Sequence, residues 1–243
     1  MRRPRAIQLH MIHGSHACVV VQRALAVKGL EWKVREMLPP TQVVVMRRRF
    51  GGTTVPGIEF PDGEKVQGSI AILQRLDERH PEPPLYPTDP ERRRRAAAAE
   101  AWGSDVLQMI ARRLVFGAAR NHWRSLASFQ EHAKLRMPAF ITTMAAPLVI
   151  WGESRIHDIN ASTVARAIEE LPGAFERIDR LIADGVLGKG APIAADLQIA
   201  ASVRFMLTME DVRQRFGERP AARLAYRLVP DYDGNLPAGA LRS

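Results

Sequence analysis

Cysteine is almost absent: Cys18 is the only one in 243 residues, which excludes an intramolecular disulfide and fits a reducing, cytoplasmic compartment. Long apolar runs are missing too, and none approaches the roughly 20 residues of a membrane-spanning helix. The basic start, Met1 to Ala6, precedes an apolar stretch, but Gln8, His10, His13 and Ser15 interrupt it and no small-residue cleavage site follows. Neither a signal peptide nor a membrane partner is expected. Aromatic residues are sparse at 6% and do not interleave with the basic runs Arg47 to Arg49 and Arg92 to Arg95, as a single-strand stacking platform would require. The net charge of +9 therefore reads as solvated basic faces, without a nucleic-acid partner. What remains is ample apolar material: 46% of the chain is hydrophobic, enough for one large core or two smaller ones.

The chain opens with a short strand over Ala6 to Met11, a helix over Ser15 to Lys28 stopped by Gly29, and a second strand over Trp32 to Met37 closed by Pro39 and Pro40. Strand, crossover helix and strand favour parallel pairing. Thr41 to Phe50, apolar first and then triply basic, predicts a short irregular helix. Pro61-Asp62-Gly63-Glu64 is turn chemistry between two short antiparallel strands, Gly57 to Phe60 and Lys65 to Gln67. Ser69 opens a helix with Ile70, Ile72, Leu73 and Leu76 on its apolar side. Pro81, Pro83, Pro84 and Pro87 form a stiff connector.

Beyond it the strand signals stop. Asp89 and Pro90 start a long helix through Trp102, Val106, Met109 and Ile110. Apolar residues recur at helical spacing from Val164 to Ile182, with Pro172-Gly173 predicting a kink or break. Ala194 to Leu207 is apolar or small on nearly every face, as in a helix buried centrally in a bundle. The tail after Val229 is expected to lie extended across the surface. The expected organisation is residues 1–82, a linker at 83–90, and an all-helical domain at 91–243.

Three motifs sharpen this outline. Thr54-Val55-Pro56 stands before the third strand; Val66-Gln67-Gly68-Ser69-Ile70-Ala71-Ile72-Leu73 runs from strand into helix; Pro84-Leu85-Tyr86-Pro87 closes the segment. Together they resemble the cytosolic glutathione transferases, serine type: an α/β thioredoxin-like domain followed by an all-α domain. The resemblance implies a cis bond before Pro56, which proline makes accessible, and a glutathione site. Val55 would hold the cysteinyl backbone, and the amides of Gly68 and Ser69, at a helix start, would receive the γ-glutamyl carboxylate. Gly68 departs from the family, which has Glu or Gln there. The resemblance also implies a homodimer.

Aligned on the first helix, Ser15 takes the position of the family's catalytic serine or cysteine, and Cys18 the second position of a C-x-x-C pair. A serine hydroxyl at a helix start favours the thiolate of a bound thiol. His16, beside it, is expected to face solvent. Trp102, Met109 and Arg113, on one face of the first long helix, are the candidate pocket for an apolar electrophile. His10, His13, His16 and Cys18 match no zinc spacing, so no metal is expected. Asp196 reads as structural. The leading expectation is a thiol transferase; the alternatives are a thiol-disulfide reductase using Cys18, and a noncatalytic binding protein.

Overall fold

The structure, a computed structural model, describes residues 6–135 and 138–241; the basic start Met1–Arg5 lies outside them. Strand β1 (Ile7–Met11) pairs in parallel with β2 (Trp32–Glu36) and antiparallel with β3 (Gly57–Glu59), which pairs antiparallel with β4 (Lys65–Gln67), giving the order β2-β1-β3-β4. Side chains alternate across a strand. One face of β1 therefore sends Ile7, Leu9 and Met11 into an apolar cluster with Val20, Val21 and Leu25 of α1 (His16–Val27) and Ile72, Leu73 and Leu76 of α3 (Ser69–Arg79). Fully burying each such Leu or Ile contributes about 1.5–3 kcal/mol. The opposite face receives Phe50 from α2 (Thr41–Phe50), whose ring meets His10 edge-on at 5.2 Å. That helix, expected from its mixed sequence to be irregular, is a regular one ended by Gly51 at φ 85°.

Lys28, at the end of α1, has a fully buried ammonium group that donates to Asp77 Oδ1 at 2.6 Å and to the carbonyls of His80 and Pro83 at 2.5 and 2.7 Å. It ties the connector back onto the sheet domain.

The helical part begins with α4 (Pro90–Trp102), N-capped by the Asp89 carboxylate accepting from Arg92 N–H at 2.8 Å. A π-helical turn, Gly103–Leu107, joins it to α5 (Gln108–Asn121) without interruption. A 3₁₀ segment (Trp123–Gln130) leads to α6 (Ala139–Ile156), followed by α7 (Ala161–Ala183), α8 (Ala194–Met206), α9 (Glu210–Phe216) and α10 (Pro220–Leu228). Every residue of α8 is buried, and Ala194, Leu197 and Ala201 join the apolar cluster of the sheet domain. The two parts thus share a continuous interior.

One sequence expectation fails here. Helix α7 does not break at Pro172-Gly173 but runs on for 23 residues, because Leu171, Ala174, Phe175 and Ile178 are buried in the bundle core on either side. Packing of that face outweighs one missing backbone bond. The tail lies largely at the surface as expected, but it is pinned at Leu236, which is fully buried, its N–H donating to the Thr208 carbonyl at 2.9 Å and its carbonyl accepting from Glu210 N–H at 2.9 Å. Asp196 does what was expected of it, its carboxylate accepting from Gly188 N–H at 2.7 Å and Ile193 N–H at 3.0 Å.

Candidate functional site

The turn from β1 into α1 is where backbone and chemistry meet. Gly14 takes φ 75° there, a conformation favoured by glycine, and Ser15 becomes the N-cap of α1 with extended backbone and no side-chain capping bond. Its carbonyl accepts from Cys18 and Val19 N–H at 2.9 and 3.0 Å. The hydroxyl is thereby left for the sulfur of Cys18 beneath it or for a ligand above it.

Above it is a cleft of about 310 Å³ between the two domains. On the sheet side its walls are Ile12 to His16, Leu38, Pro39, Gln42, Val43 and Thr53 to Val55. On the helical side they are Arg112, Val115 and Phe116 of α5, Leu126 and Phe129 of the 3₁₀ segment, Ala145, Ala146 and Val149 of α6, and Phe205 of α8. The wall facing Ser15 is mainly apolar, with Arg112, Gln130, Thr142, Glu153 and His157 as its polar members.

The sequence candidates separate on this geometry. Ser15 and Val55 line the cleft. The Val55–Pro56 peptide is cis and Pro56 lies buried behind it. Cys18 is wholly buried, and that burial pushes its thiol up to about 11, against smaller opposing effects of the Ser15 hydroxyl, the Ile12 backbone and Arg112. Trp102, Met109 and Arg113 do not line the cleft; Trp102 packs on the helical core with the Arg177 guanidinium 4.4 Å over its ring. The face read from sequence fails because the π-turn between Trp102 and Met109 breaks the 3.6-residue period on which it was counted. The residues of α5 that do reach the cleft, Arg112, Val115 and Phe116, sit at the spacing of one helical face.

Gly68 and Ser69 also lie off the lining. Ser69 Oγ is buried and donates to Gln198 Oε1 of α8 at 3.2 Å. Gly68 adopts φ 89° with open space where a Cβ would stand, so the backbone conformation there suits glycine over other residues.

His16 contradicts its sequence reading. It is buried, stacked on Phe205 with ring centroids 4.7 Å apart, and its Nε2 has no hydrogen-bond partner. Burial first, then the charges of Arg112 and His157, hold it well below the usual histidine range, so it is neutral at pH 7. A histidine between Ser15 and an apolar helix is drawn inward by the ring of Phe205, a residue 189 positions away that no local pattern points to. His13 turns elsewhere, to Asp233 Oδ2 at 2.7 Å. Arg112 is the cation that sequence reasoning missed: half-buried at the cleft wall, its pKa is lowered by burial, an effect that Glu153 partly offsets. Among the described residues no group of three or more His, Cys, Asp or Glu is placed to hold a metal, and no helix is long and apolar enough to cross a membrane.

A thioredoxin-like sheet domain, whose first helix opens onto an apolar cleft walled by a helical domain, defines the glutathione-transferase fold. Residues 9–84 match the family model of the glutathione S-transferase N-terminal domain. Maleylacetoacetate isomerase of Pseudomonas aeruginosa is 31% identical over 107 residues, 41% of this chain, and the chain spans about half (50%) of that relative's length. A glutathione S-transferase of Methylobacterium radiotolerans, in complex with glutathione sulfonate, aligns with a TM-score of 0.59 at 24% identity, covering 92% of this chain and 90% of that one. One from Rhodospirillum rubrum F11 aligns with a TM-score of 0.64 at 17% identity, over 97% and 98% of the two chains.

Proposed function

We propose that this protein is a glutathione transferase-type enzyme that activates glutathione, or a related small thiol, for attack on an apolar electrophile. The observation that carries the reading is the pairing, across one cleft, of the uncapped Ser15 hydroxyl at the start of α1 with the apolar wall of Val115, Phe116, Phe129 and Val149. The solved Methylobacterium relative holds glutathione sulfonate, which supports the choice of thiol.

In the proposed reaction the thiol loses its proton to solvent. The Ser15 hydroxyl donates to the resulting thiolate, while the dipole of α1 and the charge of Arg112 favour the anion. The thiolate attacks the electrophilic carbon, a carbon–sulfur bond forms, and the leaving group departs with the electron pair of its own bond. Val55 presents its backbone to the thiol's peptide, with Pro56 fixing that turn. The backbone N–H groups at Gly68 and Ser69, at the start of α3, receive the γ-glutamyl carboxylate. Since the Ser69 hydroxyl is engaged by Gln198, the backbone carries that contact. The domain division at 83–90, a cytoplasmic place of action and a homodimer belong to the same reading.

The burial and raised pKa of Cys18 weigh against a mixed-disulfide mechanism. Thiol consumption with 1-chloro-2,4-dinitrobenzene tests the transferase reading: Ser15→Ala is expected to lower kcat/KM by about 10²-fold, on the order of one oxyanion-type donor. An unchanged rate removes Ser15 from the mechanism. Failure of the parent protein to bind any small thiol by calorimetry would instead favour a binding protein that keeps the fold without the chemistry.

A further inference from the structure

The helical wall of the cleft carries a cation that the protein itself does not use. Arg112 lines the cleft with Val115 and Phe116, and among the described residues it makes no hydrogen bond and no ion pair. Its nitrogens are not sealed off either. Arg113 Nε, one residue on, is both unpartnered and closed to solvent, and no nitrogen of Arg112 is in that state. The guanidinium therefore keeps its planar fork of five N–H donors unused and open to the cleft.

Glu153 of α6 is the charge that most offsets the effect of burial on Arg112, yet it forms no ion pair with it. Its Oε2 lies instead 3.4 Å from His157 Nε2, one turn along the same helix. The histidines on the sheet side add no competing cation at Arg112: His16 is held neutral, and His13 turns to Asp233 at 2.7 Å. Burial that lowers the pKa of an arginine is burial that deprives it of solvent, and a charge so placed is ordinarily paired. Beside it the wall is aromatic. Phe116 and Phe129, both lining the cleft, meet Phe205 edge-on with centroids 6.2 and 6.0 Å apart, a surface suited to a flat ring.

We propose that the cleft takes an arenecarboxylate as its second ligand, the ring packed against Phe116 and Phe129 and the carboxylate held by the fork of Arg112. Under the transferase reading, on which this part rests, that ligand is the electrophile. A carboxylate matches a guanidinium in plane and spacing and accepts two parallel hydrogen bonds from it. An uncharged electrophile would instead cover the guanidinium and leave it unpaired.

Calorimetry on the full chain with the unreactive 3,5-dinitrobenzoate, and 3,5-dinitrobenzamide as its uncharged control, tests the site apart from the chemistry. The acid is expected to bind saturably and at least about tenfold tighter than the amide, with glutathione present or absent. Arg112→Gln should erase that difference. No preference for the acid in the parent, a preference that survives in the variant, or loss of acid binding when glutathione is added overturns the proposal. Should the variant fail to fold, the Arg112 Nε–H resonance of the parent decides: it moves as the acid is titrated if the guanidinium takes the carboxylate, and constancy rejects it. Turnover tests the transferase reading separately. With 4-chloro-3,5-dinitrobenzoate the glutathione sulfur bonds to the ring carbon bearing chlorine, and chloride leaves with its bonding pair. The ratio of kcat/KM for this acid to that for its amide, each divided by its uncatalysed rate constant, should fall at least about fivefold in Arg112→Gln; any effect of Arg112 on the thiolate is common to both and cancels. Binding of the acid in the parent without turnover of either compound would support the carboxylate site while rejecting the transferase reading.

Discussion

Cys18 and Ser15 are three residues apart and have opposite environments. Ser15 opens onto a cleft; Cys18 sits one turn deeper, sealed beneath it. A thiol held at about 11 is protonated at neutral pH and inert to alkylation. Iodoacetamide at pH 7.5 is therefore expected to label Cys18 only after unfolding, which peptide mass spectrometry would reveal; rapid labelling of the native protein would contradict the burial. The same shift sets a pH dependence. The folded state binds the thiol proton more tightly than the unfolded state, so the stability this contributes is complete below about pH 9 and is lost as pH rises through about 11. The loss amounts to roughly 2–3 kcal/mol. Urea midpoints of the parent should fall over that window relative to those of Cys18→Ala. Gly68 also changes meaning at this scale. In sequence it is a missing side-chain contact; at φ 89° and ψ 139° it is the residue that adopts the strand-to-helix turn without strain, where others bear on the order of 1–3 kcal/mol.

Among the elements, the C-terminal tail does more than its sequence suggests. Proline and glycine after Val229 signal irregular chain, and irregular chain usually lies on the surface. Here it is a clasp over the site. Tyr232 donates its hydroxyl to the Gly14 carbonyl at 2.7 Å, and Asp233 accepts from His13 at 2.7 Å and from the His132 N–H at 2.8 Å. The loop that presents Ser15 is held from above by residues more than 200 positions away. Tyr232→Phe removes one hydrogen bond, a modest stability loss of about 1 kcal/mol. Because it frees the Ser15 loop, it should raise KM for the thiol several-fold; an unchanged KM would show that the tail does not position the loop. The reach of α5 was legible only in part, since the period holds within α5 but is reset by the π-turn before it.

For the whole molecule, α8 is the joint, buried on every face and contributing to both apolar clusters. Its burial was the expectation from composition, since a helix apolar or small on nearly every face is ordinarily one surrounded by protein. Helix α6 is also rich in apolar residues but has a different fate: Phe140, Met144, Leu148 and Trp151 are all more than half exposed, at 66, 78, 59 and 59%. Soluble monomers seldom leave so continuous an apolar stripe uncovered, which supports a second copy of the chain as its cover. Trp151→Glu is expected to shift a dimer to monomer in sedimentation velocity. A parent protein that is monomeric at micromolar concentration would reject that assembly.

The sequence by itself determined the order of elements, the α/β-then-α division, the turn at Val55-Pro56 and the position of Ser15 at a helix start. These depend on residues close together in the chain: period, turn chemistry and caps. Tertiary structure decided which of the neighbours of Ser15 meet solvent. His16 went inward because Phe205 was there to stack on it, Cys18 was sealed, and Arg112 rather than Arg113 reached the cleft. Each of those outcomes is set by a partner far away in the chain, and burial, not residue type, fixed the charge state and reactivity that followed.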